Sequence, residues 1–547
     1  MFATKIKTGK QSKMDLIKSD PAGFLSKYRF CFPAALLCCF FHIMIVKGRD
    51  MVTFTLPTPT PLYVYGIIGL AIVFCYAFYF VFGMVVVNLL QRNRQFLSYF
   101  KYFLLYFCFM SVFWLLTWPG IFKGDEFYVI KSALQFTLSG AQSGLTSIFY
   151  IVALLFFPSM ATIVLLQLLI ICTIFAVVMH DMMSLFSGKA RYLLYLPFIL
   201  LPVIDGNLFT LRATLVGWIF LFLIGKLFYL TKTKTFPPRY LILLSALSGL
   251  LIAWRSEYVY LLVFLPLFLI LTKQVNLKHF VYMLLLIAIC YAGCNVPNKI
   301  ALDGSNKYPI SLVLNPLANL FTEAETLKGP CVYDDIMTIN ELVDVQLLKQ
   351  CASVRNISQY WNIEDKLPEE QLSRFMRASL RLIVYNPDKF LKYRMQTFAF
   401  TNGLYPNYIN HPGGECVDAI NRLVYYDMDY KAMFVMMQPP LGQALRERTI
   451  SFLAQRTYRQ GDIETTPLLP VFYNCIPVVF CMLILFVAAC IRKNNLLAFL
   501  TILQSTQVVL IFLTAPAMFF MYYFCFYLSG YFLTALGICE LLQKKDC

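Results

Sequence analysis

Charge is what this chain is short of. Asp, Glu, Lys and Arg make up 14% of its 547 residues, against about 25% in an ordinary soluble domain. With 59% of residues hydrophobic and a mean hydropathy of +0.67, a soluble enzyme and a disordered chain are both excluded. No CxxC pair occurs, and the four His (His42, His180, His279, His411) are dispersed, so no zinc site of the usual spacing is expected. Cysteine itself is plentiful, but most of it sits inside apolar runs (Cys38, Cys39, Cys75, Cys108, Cys172, Cys481, Cys490, Cys525), where a free thiol behaves as a small hydrophobe. That excludes a disulfide scaffold. There is no Walker A sequence, no GxGxxG between strand and helix, no HExxH and no GxSxG. Internal repeats and low-complexity tracts are absent, and no cleavable signal peptide precedes the first apolar run near Phe30.

What the chain has instead is apolar length. Runs near 30–46, 62–88, 99–118, 159–181, 191–204, 211–230, 239–254, 256–272, 279–294, 467–491, 495–514 and 516–540 predict about twelve transmembrane helices. Basic clusters at Lys5 to Lys18, Arg92 to Arg94, Lys189 to Arg191, Lys232 to Arg239, Lys273 to Lys278, Arg492-Lys493 and Lys544-Lys545 separate them. If all seven are cytoplasmic, every interval between neighbours must hold an even number of crossings, and the twelve satisfy that rule with both termini inside. The net charge of +17 is then positive-inside bias rather than a nucleic-acid surface, because no basic stripe with interleaved aromatics lies outside the apolar runs.

Segment 295–466 breaks the pattern, with 18 basic and 19 acidic residues. Parity puts it outside. The organisation expected is a cytoplasmic basic leader (1–29), a transmembrane module (30–294) with an outer catalytic loop at 119–146, a mainly helical extracytoplasmic domain (295–466) and C-terminal transmembrane helices (467–547). Within the outer domain, Glu369 to Val384 predicts a helix with Leu372, Phe375, Met376, Leu380 and Ile383 on one stripe. Asn402-Gly403, Pro406 and His411-Pro412-Gly413-Gly414 mark loops. Cys331, Cys351 and Cys416 allow one disulfide or free thiols, and Asn356-Ile357-Ser358 is a glycosylation sequon.

The same parity places three polar turns on the outer face: Thr117 to Tyr128, Asp205 to Arg212, and Trp254 to Tyr258. Ionisable groups at membrane depth are costly and usually face a cavity or a partner, so shared sidedness points to one interfacial cleft. Each residue also has a plainer reading. Asp125-Glu126 is a solvated pair in that reading, Arg212 snorkels to headgroups, and Arg255 and Glu257 form a structural ion pair, although i,i+2 residues do not face each other on a helix. Phe127, Tyr128, Ile130, Leu134 and Phe136 have the pattern of an amphipathic helix lying in the interface, with Tyr128 adjacent to the acidic pair.

One carboxylate, nearby arginines and an outer domain suit sugar transfer from a lipid-phosphate donor. Phosphate is a weak base and leaves without a general acid, so one carboxylate suffices to deprotonate the acceptor hydroxyl, with inversion at the anomeric carbon. Arginine binds the phosphate through charge-assisted hydrogen bonds.

Gly124-Asp125-Glu126-Phe127-Tyr128, in the first outer loop after a transmembrane helix, resembles the acidic motif of the GT-C superfamily of membrane glycosyltransferases, in particular the protein mannosyltransferases and lipid A aminoarabinose transferases. Trp118-Pro119-Gly120 is similar to bacterial envelope-polysaccharide members. The resemblance implies a GT-C-like fold and a polyprenyl-phosphate-sugar donor with a glycan, lipid or protein acceptor. It also implies Asp125 as general base, with Glu126 supporting it or binding a divalent cation. By placement, Arg255 or Arg212 would hold the donor phosphate, with Tyr128 and Glu257 in support. The motif follows the third expected span rather than the first, and Ser143-Gly144-Leu145-Thr146-Ser147 stands where many members have a His-Pro-Pro-Leu-like stretch. The site would face the periplasm from a bacterial inner membrane, or the lumen from the endoplasmic reticulum. Competing expectations are a polysaccharide polymerase or ligase relying on Arg or His, and a transporter or lipid flippase.

Overall fold

A computed structural model describes residues 21–47, 54–122, 124–139, 142–210, 212–234, 236–302, 306–350, 352, 364, 366–404, 438–459 and 462–543. The leader 1–20, the sequon, Cys351, Cys416, Pro406 and the 411–414 loop lie outside the described residues, and Cys331 is a free thiol.

Helices α1 (Pro21–Tyr28) and α2 (Cys31–Lys47) precede α3 (Leu62–Leu90) and α4 (Arg94–Leu116). Next come α5 (Gly124–Leu134), α6 (Gly144–Phe156) and α7 (Met160–Leu185). A 3-10 segment (Lys189–Ile199) leads to α8 (Leu201–Asn207), α9 (Arg212–Thr233), α10 (Pro238–Trp254), α11 (Leu261–Leu271) and α12 (Leu277–Leu302). Then follow α13 (Tyr308–Phe321), α14 (Val332–Asn340), α15 (Val345–Gln350), α16 (Glu369–Tyr385), α17 (Pro387–Thr401) and α18 (Gln443–Ala454). A hairpin pairs β1 (Arg456–Arg459) antiparallel with β2 (Asp462–Thr465). Helices α19 (Ile476–Ile491), α20 (Asn495–Thr514) and α21 (Phe524–Leu542) close the described chain.

The protein is an all-α polytopic membrane protein apart from that hairpin. Among the described residues, eight helices are long and apolar enough to cross a bilayer: α3, α4, α7, α9, α12, α19 with the preceding turn from Leu469, α20 and α21. Three further expected crossings appear as shorter apolar helices, Cys31–Val46, Pro238–Trp254 and Ser256–Leu271. The run at 191–204 differs from expectation. It is a 3-10 segment, in which Pro197 lacks the amide donor that an α-helix interior needs, followed by α8, which begins with Pro202 in its first turn where no donor is required. The last run starts later than expected, at Phe524, and leaves 515–523 as a largely irregular turn. Burial sorts the bundle: 83% of the apolar window of α9 and 67% of those of α7 and α21 are buried, against 11% for α3, α4 and α12. The first three are the centre and the others face lipid.

The two ends of the bundle differ in charge. Lys232 at the end of α9 pairs with Glu540 near the end of α21, and Asn494, the N-cap of α20, donates to the same carboxylate at 3.2 Å. Gln543 donates to the Leu185 carbonyl at 3.2 Å, and Tyr99 of α4 stacks on His180 of α7 at 3.7 Å between centroids. The basic turns around Arg92, Lys189, Lys232 and Arg492 therefore share one end. The polar turns after α4, α8 and α10 share the other.

The described residues of segment 295–466 fall into two settings. Helix α12 runs through the expected boundary to Leu302. Residues 310–382 form a second hydrophobic core, joined by Ile310, Leu317, Phe321, Ile339, Phe375 and Leu382. Leu380, placed on the buried stripe by the sequence, is 50% exposed, and Leu382 occupies the core in its stead. Glu323 holds this unit to α17 through Lys392 at 3.0 Å and the Tyr393 hydroxyl at 3.0 Å, and those hydrogen bonds keep its carboxyl below the usual range. By contrast α17 and α18 are fastened to the membrane helices. Arg394 donates to the Ala515 carbonyl at 2.6 Å, and Arg446 donates to the carbonyls of Trp118 at 2.7 Å and Gly120 at 3.1 Å.

Gly120 sits at a position only glycine suits. Its φ is +142°, and an added Cβ would lie 2.4 Å from Val164 Cγ2. Gly120→Ala is expected to destabilise the fold by about 1–3 kcal/mol, read as a lowered unfolding temperature in detergent.

Candidate functional site

The three polar turns are stitched together by hydrogen bonds. The Ile121 amide donates to the Leu208 carbonyl at 3.0 Å, and Ile121 bridges Phe209 in parallel register. The second turn is held from below by buried polar groups. Gln167 Nε2 donates to the carbonyls of Asn207 and Phe209, each at 2.9 Å. Trp218 Nε1 donates to Asn207 Oδ1 at 2.7 Å, Asn207 Nδ2 donates to Tyr106 at 2.9 Å, and Thr214 donates to the Gly206 carbonyl at 2.7 Å. Tyr150 meets Thr210 Oγ1 at 2.6 Å. In a medium with no water, each of these groups must find a partner inside the protein. The network thereby sets the backbone that presents Arg212 at the start of α9.

The third turn joins through α6 and α12. Asn298 Nδ2 donates to the Ala253 carbonyl at 2.6 Å, while its Oδ1 accepts from Ser143 Oγ and the Gly144 amide, both at 2.8 Å. Trp254 Nε1 donates to Thr146 Oγ1 at 2.9 Å. Ser143 is held at φ 75°, outside the comfortable range of a side-chain-bearing residue. An added Cβ at Gly144 would lie 2.3 Å from the Pro297 carbonyl oxygen. The neighbouring Gln142 donates through Nε2 to Asp125 Oδ2 at 2.9 Å. A continuous path of short contacts thus runs from Asp125 to the residue before Arg255. On the opposite side of this turn Tyr258 donates to Cys525 Sγ at 2.8 Å and accepts from Gln507 Nε2 at 2.6 Å, which fixes the turn to α20 and α21.

Arg255 and Glu257 do form an ion pair, at 2.6 Å. Helical spacing forbids it, but Arg255 is extended (φ −145°, ψ 119°) and the chain then turns as a 3-10 helix, which brings i and i+2 together. Arg255 is 7% exposed, and its guanidinium carbon lies 6.0 Å from the centroid of Tyr522. Arg212 Nη2 donates to the Tyr308 hydroxyl at 3.3 Å. Tyr522, in the turn before α21, is half-buried against the hydrophobic core. Burial pushes its phenol up, and it lies within electrostatic reach of Tyr308, Asp125, Arg255 and Arg212 together. It stays protonated and able to donate. Asp125, Arg212, Arg255 and Glu257 therefore share one neighbourhood, with Tyr522 and Tyr308 among them.

Two expectations place differently. Glu126 is fully buried, within electrostatic reach of Tyr150, whereas Asp125 is exposed. Adjacent helical residues face different ways, so the two carboxylates do not form a chelating pair. Among the described residues no group of three or more His, Cys, Asp or Glu could hold a metal ion. The apolar face of helix α5 is covered by protein: Phe127, Val129, Ile130 and Ala133 are all fully buried and Phe136 nearly so. Tyr128 is 44% exposed, on a face of α5 away from that buried set.

Sequence reasoning missed Gln142, Tyr308 and Tyr522, which lie far apart in a chain with 34 tyrosines. It also missed Arg446 and Asn298, which hold the turns. Comparison with known proteins adds nothing to this geometry: no family model, no curated protein and no solved structure matches the chain.

Proposed function

We propose that the protein is a GT-C-like glycosyltransferase that moves a sugar from a polyprenyl-phosphate-linked donor to an extracytoplasmic glycan, lipid or protein acceptor. In this reading α2, the 191–204 run, α10 and the 256–271 run complete twelve crossings. The basic end faces the cytoplasm of a bacterial inner membrane, and the site opens to the periplasm. One observation carries it: an exposed carboxylate and two guanidinium groups, from three turns distant in the chain, meet at the end of the bundle opposite the basic loops.

Asp125 is the general base. It takes the proton from the acceptor hydroxyl as that oxygen bonds to the anomeric carbon, and the bond from that carbon to the phosphate oxygen breaks with its electron pair leaving on the lipid phosphate. Inversion follows from the single displacement. Gln142 orients the carboxylate through its 2.9 Å hydrogen bond. Arg255 and Arg212 meet the charge that grows on the departing phosphate, where fixed cations in a site of low polarity count most. Tyr522, kept protonated by burial, supplies a neutral donor beside them. No step runs through a cation, because the acidic pair is not arranged to chelate one.

The test is turnover of polyprenyl-phosphate sugars by the purified protein in lipid, with Arg255→Lys and Arg212→Ala as variants. Loss of an aimed donor lowers kcat by about 100-fold or more, with thermal unfolding monitored to separate that from loss of fold. Wild-type protein that consumes no such donor, or arginine variants that turn over normally, would remove the proposal.

A further inference from the structure

At the basic end of the bundle, away from the candidate site, a cavity of about 560 Å³ opens between α4, the end of α7 and the 3-10 segment. Lys101 and Arg191 project into it with Tyr102, Tyr192, Tyr195 and Met183. The lining holds two cations and no acid. Neither Lys101 nor Arg191 joins an ion pair among the described residues, and the acid nearest in sequence on α7, Asp181, is committed to Lys226 at 2.6 Å. The local contacts of the two cations are aromatic. Lys101 Nζ lies 4.7 Å from the centroid of Tyr102, and the Arg191 guanidinium lies 5.3 Å from that of Tyr192, whose hydroxyl it meets at 3.4 Å.

Lys101 sits two turns into α4, followed by Tyr102-Phe103-Leu104-Leu105. An ammonium at that depth on a lipid-facing helix is costly unless it reaches the headgroup layer or meets an anion. Tyrosines favour the same layer, and a guanidinium matches phosphate geometry. Leu105 and Met183 extend the cavity toward hydrocarbon. We propose that this cavity binds the phosphate of an anionic phospholipid headgroup from the leaflet at the basic end. Lys101 and Arg191 clamp the phosphate, the three tyrosines supply hydroxyls to it, and the apolar wall takes the first acyl carbons. The assignment requires only a membrane protein, and it stands whether or not the opposite end transfers sugar.

The experiment is native mass spectrometry of the full chain released from nanodiscs of phosphatidylcholine with and without phosphatidylglycerol, and again with inorganic phosphate added. Wild-type protein is expected to retain phosphatidylglycerol selectively, and Lys101→Gln/Arg191→Gln to lower that retention about tenfold or more. The charge-conserving pair Lys101→Arg/Arg191→Lys is expected to keep selectivity, which separates charge from fold. Equal retention of both lipids by wild-type protein overturns the proposal, as does selectivity that survives in the neutral pair. Displacement of phosphatidylglycerol by inorganic phosphate also overturns it and leaves a free-anion site.

Discussion

Asp125→Asn is expected to lower sugar transfer by about 100- to 10,000-fold, the usual contribution of a positioned general base, while donor binding and thermal stability stay near wild type. Stability should hold because the carboxylate is exposed and the asparagine can keep the hydrogen bond from Gln142. The amide is isosteric and accepts through oxygen, so Gln142 keeps a partner. What disappears is the ability to take a proton. Single-turnover measurement of donor consumption, with donor affinity measured separately, reads the effect directly. Near-normal turnover in Asp125→Asn together with loss in the arginine variants would transfer the site to a polymerase or ligase chemistry that runs on guanidinium groups.

Lys226→Met is expected to destabilise the bundle by about 3–5 kcal/mol, because it strands Asp181 as an uncompensated charge between α7 and α9. The two side chains are 9% and 4% exposed and 2.6 Å apart, with His180 Nδ1 3.7 Å from the same carboxylate. Both lie in helices that are mostly buried within the bundle, where water cannot solvate the orphaned anion. Replacing both partners, Asp181→Leu with Lys226→Met, is expected to recover most of the loss, since apolar groups of similar volume incur no such penalty. Thermal unfolding of the single and double variants in one detergent checks both statements. A single variant as stable as the double would show that the carboxylate finds another partner or a proton.

These two residues also mark where sequence reading fell short. Asp181 and Lys226 stand inside runs taken for plain crossings, and one charge in each run looks like noise until the helices pair. Asp125, Arg212 and Arg255 were legible for the opposite reason. Arg212 and Arg255 lie at the ends of apolar runs and Asp125 in the loop after one, and counting crossings between basic loops assigns such ends and loops to one face or the other. The counting works on length and charge, so it found the eight long helices. It could not tell that 191–204 is built as a 3-10 segment through Pro197 and a short α-helix rather than as one continuous α-helix. The amphipathic pattern after Asp125 was seen, but a pattern of apolar positions does not say whether protein or lipid covers them, and here protein does. Tyr308 and Tyr522 carried no pattern at all. Their relation to the arginines comes from the packing of α13 and of the turn before α21, which no local spacing encodes.

Helix α12 has a mechanical consequence. Its Asn298 grips both the strand of chain that leads to Gln142 and the carbonyl before Trp254, and four residues later the same helix ends at the approach to the second core. One side chain thus ties the turn that carries Gln142, the partner of Asp125, to the turn that carries Arg255. A shift of α12 would therefore carry both turns along in step, and neither could be displaced by that helix alone.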